Sequence, residues 1–162
     1  MTRRAAGEAS GGTDSPIGQL ELGVSVLARW IGSRHVRARI AQESGLDLSP
    51  VAIRLLEHLL VAGPMRVSEI AECEQVDKST ATVRVQALQR AGLVERAPDA
   101  LDARVSVIAI SRQGRAAVAR LRAARRLLLQ ELFEDADADE LQRLGVLLQG
   151  IQVHMTGTPV TG

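Results

Sequence analysis

Apolar positions recur at helical spacing along most of this chain and alternate over one short stretch. From Pro16, the residues Leu20, Val24, Leu27, Ile31, His35 and Ala38 fall at steps of three and four, with Leu22, Val26 and Trp30 on an adjoining stripe. This spacing predicts a long helix from Pro16, with an apolar face wider than one layer of packing needs. "SGLDLSP" ends it, because Ser49 suits an N-cap and Pro50 the first turn of a second helix. The second helix runs to about Val61 and turns Ile53, Leu56 and Leu60, or their neighbours, toward a core before "AGP" closes it.

"VSEIAECEQVDKSTATVRVQALQRAGLVER" then reads as a short helix, a turn near Gln75 and Val76, and a longer helix capped by Asp77 and ended by Gly92. In that longer helix Ala81, Val85 and Leu88 share one side, while Ser79, Thr82, Val83, Gln86 and Arg90 occupy the opposite one. A strand from Leu93, the turn "APDALDA" and a return strand from Val105 to Ile110 follow. In the return strand Val105, Val107 and Ala109 alternate with Ser106 and Ile108. Ser111 caps a long helix to about Phe133, which "EDADAD" breaks. The last helix carries Leu141, Leu144, Leu148, Ile151 and Met155 as a heptad-like seam. Residues 1–15, rich in Gly, Ser and Ala, read as a disordered arm, and residues 156–162 as a frayed tail.

Composition narrows the chemistry. At 162 residues the chain is one domain with enough length to bury a core, and 46 % apolar residues make it globular. One Trp, one Phe and no Tyr leave Leu, Val, Ile and Ala to build that core, and exclude aromatic platforms for single-stranded nucleic acid. A net charge of +1 provides no global field for nucleic acid or anionic lipid, so any such contact must be local. The single cysteine, Cys73, excludes an internal disulfide and a zinc finger; its neighbours Glu72 and Glu74 oppose a thiolate, which points to helix packing rather than redox sensing. His35, His58 and His154 fall on different helices without metal-ligand spacing, so neither a metal nor a cofactor is expected. No stretch reaches the roughly 18 uncharged apolar residues that span a bilayer. The N-terminal "MTRRAAGEASGGTDS" has no apolar core of a signal peptide, and the expected location is the cytoplasm. A phosphate loop, a nucleophile elbow and paired carboxylates on a strand are all missing, and "EDADADE" lacks the glycine and spacing of a calcium loop. An enzyme is therefore not expected.

Two short helices around a tight turn, followed by a β-ribbon, make the winged helix-turn-helix plan within a mainly α (α+β) fold. The exposed side of Lys78 to Ala91 carries hydroxyls, an amide, a valine and an arginine, without the Glu–Lys pairs typical of a merely solvated face. Hydroxyls bond phosphate or bases, an amide reads adenine, and an apolar side chain sits against a thymine methyl. Lys78, Ser79, Thr80, Thr82, Val83, Gln86 and Arg90 are the candidate DNA contacts.

The run "VSEIAE…VDKSTATVRVQALQRAGLVERAPDALDARVSVIAISRQG", with its "DKST", "GLVER" and D-x-x-D-x-R motifs and its Ser111 and Gly114, resembles the MarR (multiple antibiotic resistance regulator) family of transcriptional regulators. The local match covers about 50 residues, and the flanking helices agree in number and length. The resemblance implies an obligate homodimer, with helices from 16–48 and 112–155 intertwined and 50–111 forming the winged DNA-binding domain. It implies a near-palindromic double-stranded operator, with half-sites about one helical turn apart. It further implies that Arg104 of the wing lies in or beside the minor groove, and Asp102 would hold its guanidinium there. In one departure, Val83 stands where many members carry an arginine, and Arg84 falls toward the core-facing edge. The resemblance also implies a repressor released by a small anionic or aromatic effector, with Trp30, Arg34 and His58 as candidate lining residues. Two alternatives stay open: a redox- or metal-responsive regulator of the same fold, and a helical interaction module without DNA binding. No membrane partner is implied.

Overall fold

A computed structural model describes residues 15–99 and 105–156, with side chains described as far as Gly150. The chain divides into two compact units, one ending at Arg125 and the other beginning at Arg126. The elements in order are α1 (Pro16–Gly32), α2 (Arg34–Ser44), α3 (Pro50–Ala62), α4 (Val67–Cys73), α5 (Lys78–Arg90), β1 (Val94–Pro98), β2 (Ser106–Ile110), α6 (Arg112–Leu132) and α7 (Ala138–Thr156). This is the mostly helical winged fold that the pattern predicts, with a two-stranded antiparallel sheet.

The long first helix is in fact two. Ser33 leaves the helical region at φ −68° and ψ 149°, donates its N–H to Trp30, and its hydroxyl accepts from the Val36 N–H at 3.2 Å. The apolar period runs across this point, but a Gly–Ser pair supplies both a helix-weakening residue and a ready N-cap. His35 and Ala38 therefore belong to α2. No residue of α1 is buried, and Ile17, Leu20, Leu22, Val24, Val26 and Ile31 are all exposed.

The core of the first unit lies under the helix-turn-helix. Leu55, Leu56 and Leu59 of α3 meet Ile70 and Ala71 of α4, Ala81, Val85 and Leu88 of α5, Leu93, Val94, Ile108 and Ile110 of the ribbon, and Ala117 and Val118 of α6. Each fully buried large aliphatic side chain contributes roughly 1.5–3 kcal/mol. The face of α3 is shifted from the expected one: Leu56 is buried, but Ile53 and Leu60 are only partly so, and Leu55 and Leu59 replace them. Caps fix the helix starts, with Ser49 accepting from the Ala52 N–H at 3.2 Å and Ser111 from the Gly114 N–H at 2.9 Å.

The return strand also differs from simple alternation, because Val107, Ile108 and Ile110 are all buried. Ile108 exchanges backbone hydrogen bonds with Met65, at 2.7 and 3.0 Å, so the chain before α4 pairs with β2 on its free side. α3 packs against the same strand. A strand covered on both faces has no reason to keep a polar side.

Candidate nucleic-acid interface

The helix-turn-helix consists of α4, the turn through Gln75 and Val76, and α5. Gln75 takes a left-handed conformation at φ 52°, which reverses the chain within a few residues. Asp77 then caps α5: its carboxylate accepts from the Thr80 N–H at 2.9 Å, from the Thr80 hydroxyl at 2.6 Å, and from the Ser79 hydroxyl. These bonds, Ser79 first, hold the Asp77 carboxyl well below the usual carboxylate range. Thr82 turns its hydroxyl back onto the Lys78 carbonyl at 2.7 Å.

The two sides of α5 separate as the spacing predicts. Ala81, Val85 and Leu88 are buried, whereas Lys78, Ser79, Val83, Gln86 and Arg90 are exposed and Thr80 and Thr82 half-buried. Val83, at 62 % exposed, is an apolar residue with no packing role in this chain. The hydroxyl protons of Ser79, Thr80 and Thr82 are already used within the helix, which leaves their lone pairs as acceptors. Gln86 and Val83 are thus the most available reading groups on the face, flanked by the cations Lys78 and Arg90. Arg84 does not join them; its Nη1 donates to Glu74 Oε2 at 3.4 Å.

The wing follows from Gly92, which turns the chain at φ +70° where a side chain would be strained. β1 and β2 pair in the register Val94–Ile110 through Pro98–Ser106, and the Asp99 N–H reaches the Val105 carbonyl at 2.9 Å. Asp102 and Arg104, expected in the wing from the sequence, lie outside the described residues. Sequence reading missed the base of the wing, where Arg66 ahead of α4 pairs with Asp99 at 3.3 Å across 33 positions. Nothing in local spacing could reveal that contact.

A cleft of about 820 Å³ lies within the first unit, lined by Arg34, Arg37, Ile53, Arg54 and Leu121 among others. Arg34 of the expected effector trio is there; Trp30 and His58 lie outside the lining, so this cleft does not unite the three. Arg125 is paired with Glu57 at 2.9 Å and Arg54 with Glu74, while Arg34 and Arg37 have no ion-pair partner among the described residues. Arg37 is therefore an anion-binding candidate that periodicity alone gave no reason to single out. Cys73, expected to pack in its helix, is instead exposed, because the seven-residue α4 buries only Ile70 and Ala71.

Residues 46–105 match the family model described as "MarR family". Over 95 residues the chain is 32 % identical to an HTH-type transcriptional regulator, YxaD, of Bacillus subtilis (strain 168), a match covering 59 % of this chain and 66 % of that protein. Among solved structures, a MarR family protein from Bacillus stearothermophilus superposes with a TM-score of 0.71 at 23 % identity, covering 86 % of this chain and 95 % of the other. RV1404 from Mycobacterium tuberculosis does so with a TM-score of 0.69 at 21 % identity, covering 92 % and 99 %.

Residues 46–105 are thus a MarR-family segment.

The MarR family match ends at Val105, just ahead of β2, so it takes in α3, the helix-turn-helix and β1. Members of the MarR family are transcriptional regulators and not enzymes. The match to YxaD spans just under two thirds of that protein's length. Among the described residues no helix is long and apolar enough to cross a membrane.

Proposed function

We propose that this chain is a MarR-family, sequence-specific double-stranded DNA-binding regulator that acts in the cytoplasm as a homodimeric repressor and is released by a small anionic ligand. The observation that carries the reading is the exposed face of α5, capped by Asp77 and seated on Ala81, Val85 and Leu88. A helix held rigidly by one side and offering an amide, a valine and flanking cations on the other suits the major groove. Lys78 and Arg90 are placed for phosphate, Gln86 and Val83 for base edges, with Ser79, Thr80 and Thr82 contributing acceptor oxygens. In this reading Arg104, steadied by Asp102, enters the adjoining minor groove. The unpartnered apolar face of α1 supports a second copy as its cover.

Ligand release is supported by the cleft, whose apolar wall carries Arg34 and Arg37 without ion-pair partners among the described residues. Arg54 stands both in that wall and in the pair with Glu74, giving an occupant a physical route toward α5. Linkage requires such a ligand to bind the free protein more tightly than the DNA-bound one. Selection of bound duplexes from random DNA, then competition with small organic carboxylates, tests the whole reading. Enrichment of a near-palindrome whose complex a carboxylate dissociates is the expected result. Failure to enrich any duplex would favour an interaction module that has lost DNA binding.

A further inference from the structure

Glu74 caps the C-terminal end of α4, where the turn toward α5 begins, and its side chain is 3 % exposed. Arg54 of α3 grips it through two bonds, Nε to Oε1 at 3.2 Å and Nη2 to Oε2 at 2.5 Å. Arg84 of α5 donates to Oε2 from the other side at 3.4 Å. The Arg54 hydrogen bond first, then the charges of Arg54, Arg84 and His58, hold the Glu74 carboxyl below its ordinary range against the opposing effect of burial. Covering a carboxylate is costly, and an apolar side chain would fill the same space with less penalty. A covered charge gripped by two guanidiniums on different helices therefore calls for a role beyond filling space.

Arg84 lies next to Val83 and two residues from Gln86. The packing side of α5 is made of Ala81, Val85 and Leu88, whose contacts are non-directional and include a small residue at the first turn. Side chains stand about 5–6 Å from a helix axis, so a rotation of roughly 10° moves their tips by about 1 Å. A shift of that size is enough to loosen a bidentate base contact. An ion pair between a planar guanidinium and a held carboxylate resists the rotation where aliphatic packing does not.

We propose that Glu74 is a positioning residue for DNA recognition: through Arg84 it sets the rotation of α5 about its axis, and through Arg54 it ties that setting to α3. The proposal rests on the reading of α5 as the base-reading helix. Neither Glu74 nor Arg84 needs to touch DNA in this role, so their loss acts on discrimination between sequences and spares attraction to the backbone.

The test compares the full chain with its Glu74→Gln, Arg84→Met and doubly substituted variants on the selected operator and on a random duplex, across a range of salt. Thermal melting in parallel shows that each variant is folded. Each single variant should lose about tenfold in the ratio of operator to random affinity, with random-duplex affinity and salt slope kept, and the double variant no more than either single one. A folded Glu74→Gln protein with an unchanged ratio overturns the proposal. So does an Arg84→Met variant that weakens on both duplexes with a salt slope smaller by about one, since Arg84 is then a phosphate contact. Should Glu74→Gln fail to fold, Arg84→Met decides alone, because it leaves Glu74 still paired with Arg54. A wild-type protein with no operator preference removes the reading of α5 itself, and the proposal falls with it.

Discussion

Gly114 shows how much can depend on a missing side chain. A Cβ there would collide with the Leu93 carbonyl oxygen and come within 2.8 Å of Ile110 Cγ1, both fixed parts of the wing. Beside it Ser111 donates to the Gly92 carbonyl at 2.7 Å while capping α6, so the first turn of α6 and the start of the wing share one buried hydroxyl. Gly114→Ala should cost about 1–3 kcal/mol, read as a lower urea midpoint with an unchanged denaturant slope. An unaffected midpoint would mean that the two segments separate easily. Two carboxylates give a second residue-level expectation. Asp77 and Glu74 are both held below the ordinary range, so their stabilisation is full above about pH 5 and is lost as pH falls through the lowered values. Asp77→Asn keeps a capping side chain but cannot titrate, so its stability should fall less steeply than wild type between about pH 4 and pH 2. Parallel curves in urea titrations over that range would contradict the assignment.

At the scale of the element, α5 divides its polar groups between holding itself and facing outward. Ser79 and Thr80 donate to Asp77 and Thr82 to Lys78, so the groove-facing work shifts to Gln86 and Val83. Gln86→Ala should relax discrimination at one base pair of the selected operator by about 1–3 kcal/mol, with random-duplex binding unchanged. Binding arrays of single-base operator variants would show it, and a uniform loss at all positions would count against direct reading by Gln86. The same element illustrates what periodicity conveys. Ala81, Val85 and Leu88 are buried as their spacing indicates, because one helix on one core leaves little freedom. Arg84 could be placed only at an edge by spacing, since its partner Glu74 is held by Arg54 from twenty positions away.

For the whole molecule, the telling feature is apolar surface without a cover in either unit. α1 buries nothing, and in the second unit Leu141, Val146, Leu147 and Leu148 of α7 are exposed. Faces of this kind normally mark an interface. Wild type should show twice the chain mass by light scattering and a melting temperature that rises with protein concentration. Leu20→Glu combined with Val24→Glu, on the α1 face, should halve the mass and weaken operator binding. A wild type that stays a single chain at all concentrations would remove the basis for two-half-site recognition.

Caps, turn residues and apolar spacing alone settle the helix-turn-helix, the ribbon and the long helix after it, because these are decided within a few residues of chain. As caps, Ser49, Asp77 and Ser111 act on N–H groups three positions away, and Gly92 acts through its own backbone angle. What local chemistry leaves undecided is settled by packing: the break at Ser33, the doubly covered β2, and the choice of Leu55 and Leu59 over Ile53 and Leu60. The contacts that join distant positions, Arg54 with Glu74 and Arg66 with Asp99, arise only when the folded core brings separate helices and loops within reach. Charge pairing over such separations has no period, so it cannot be read along a chain.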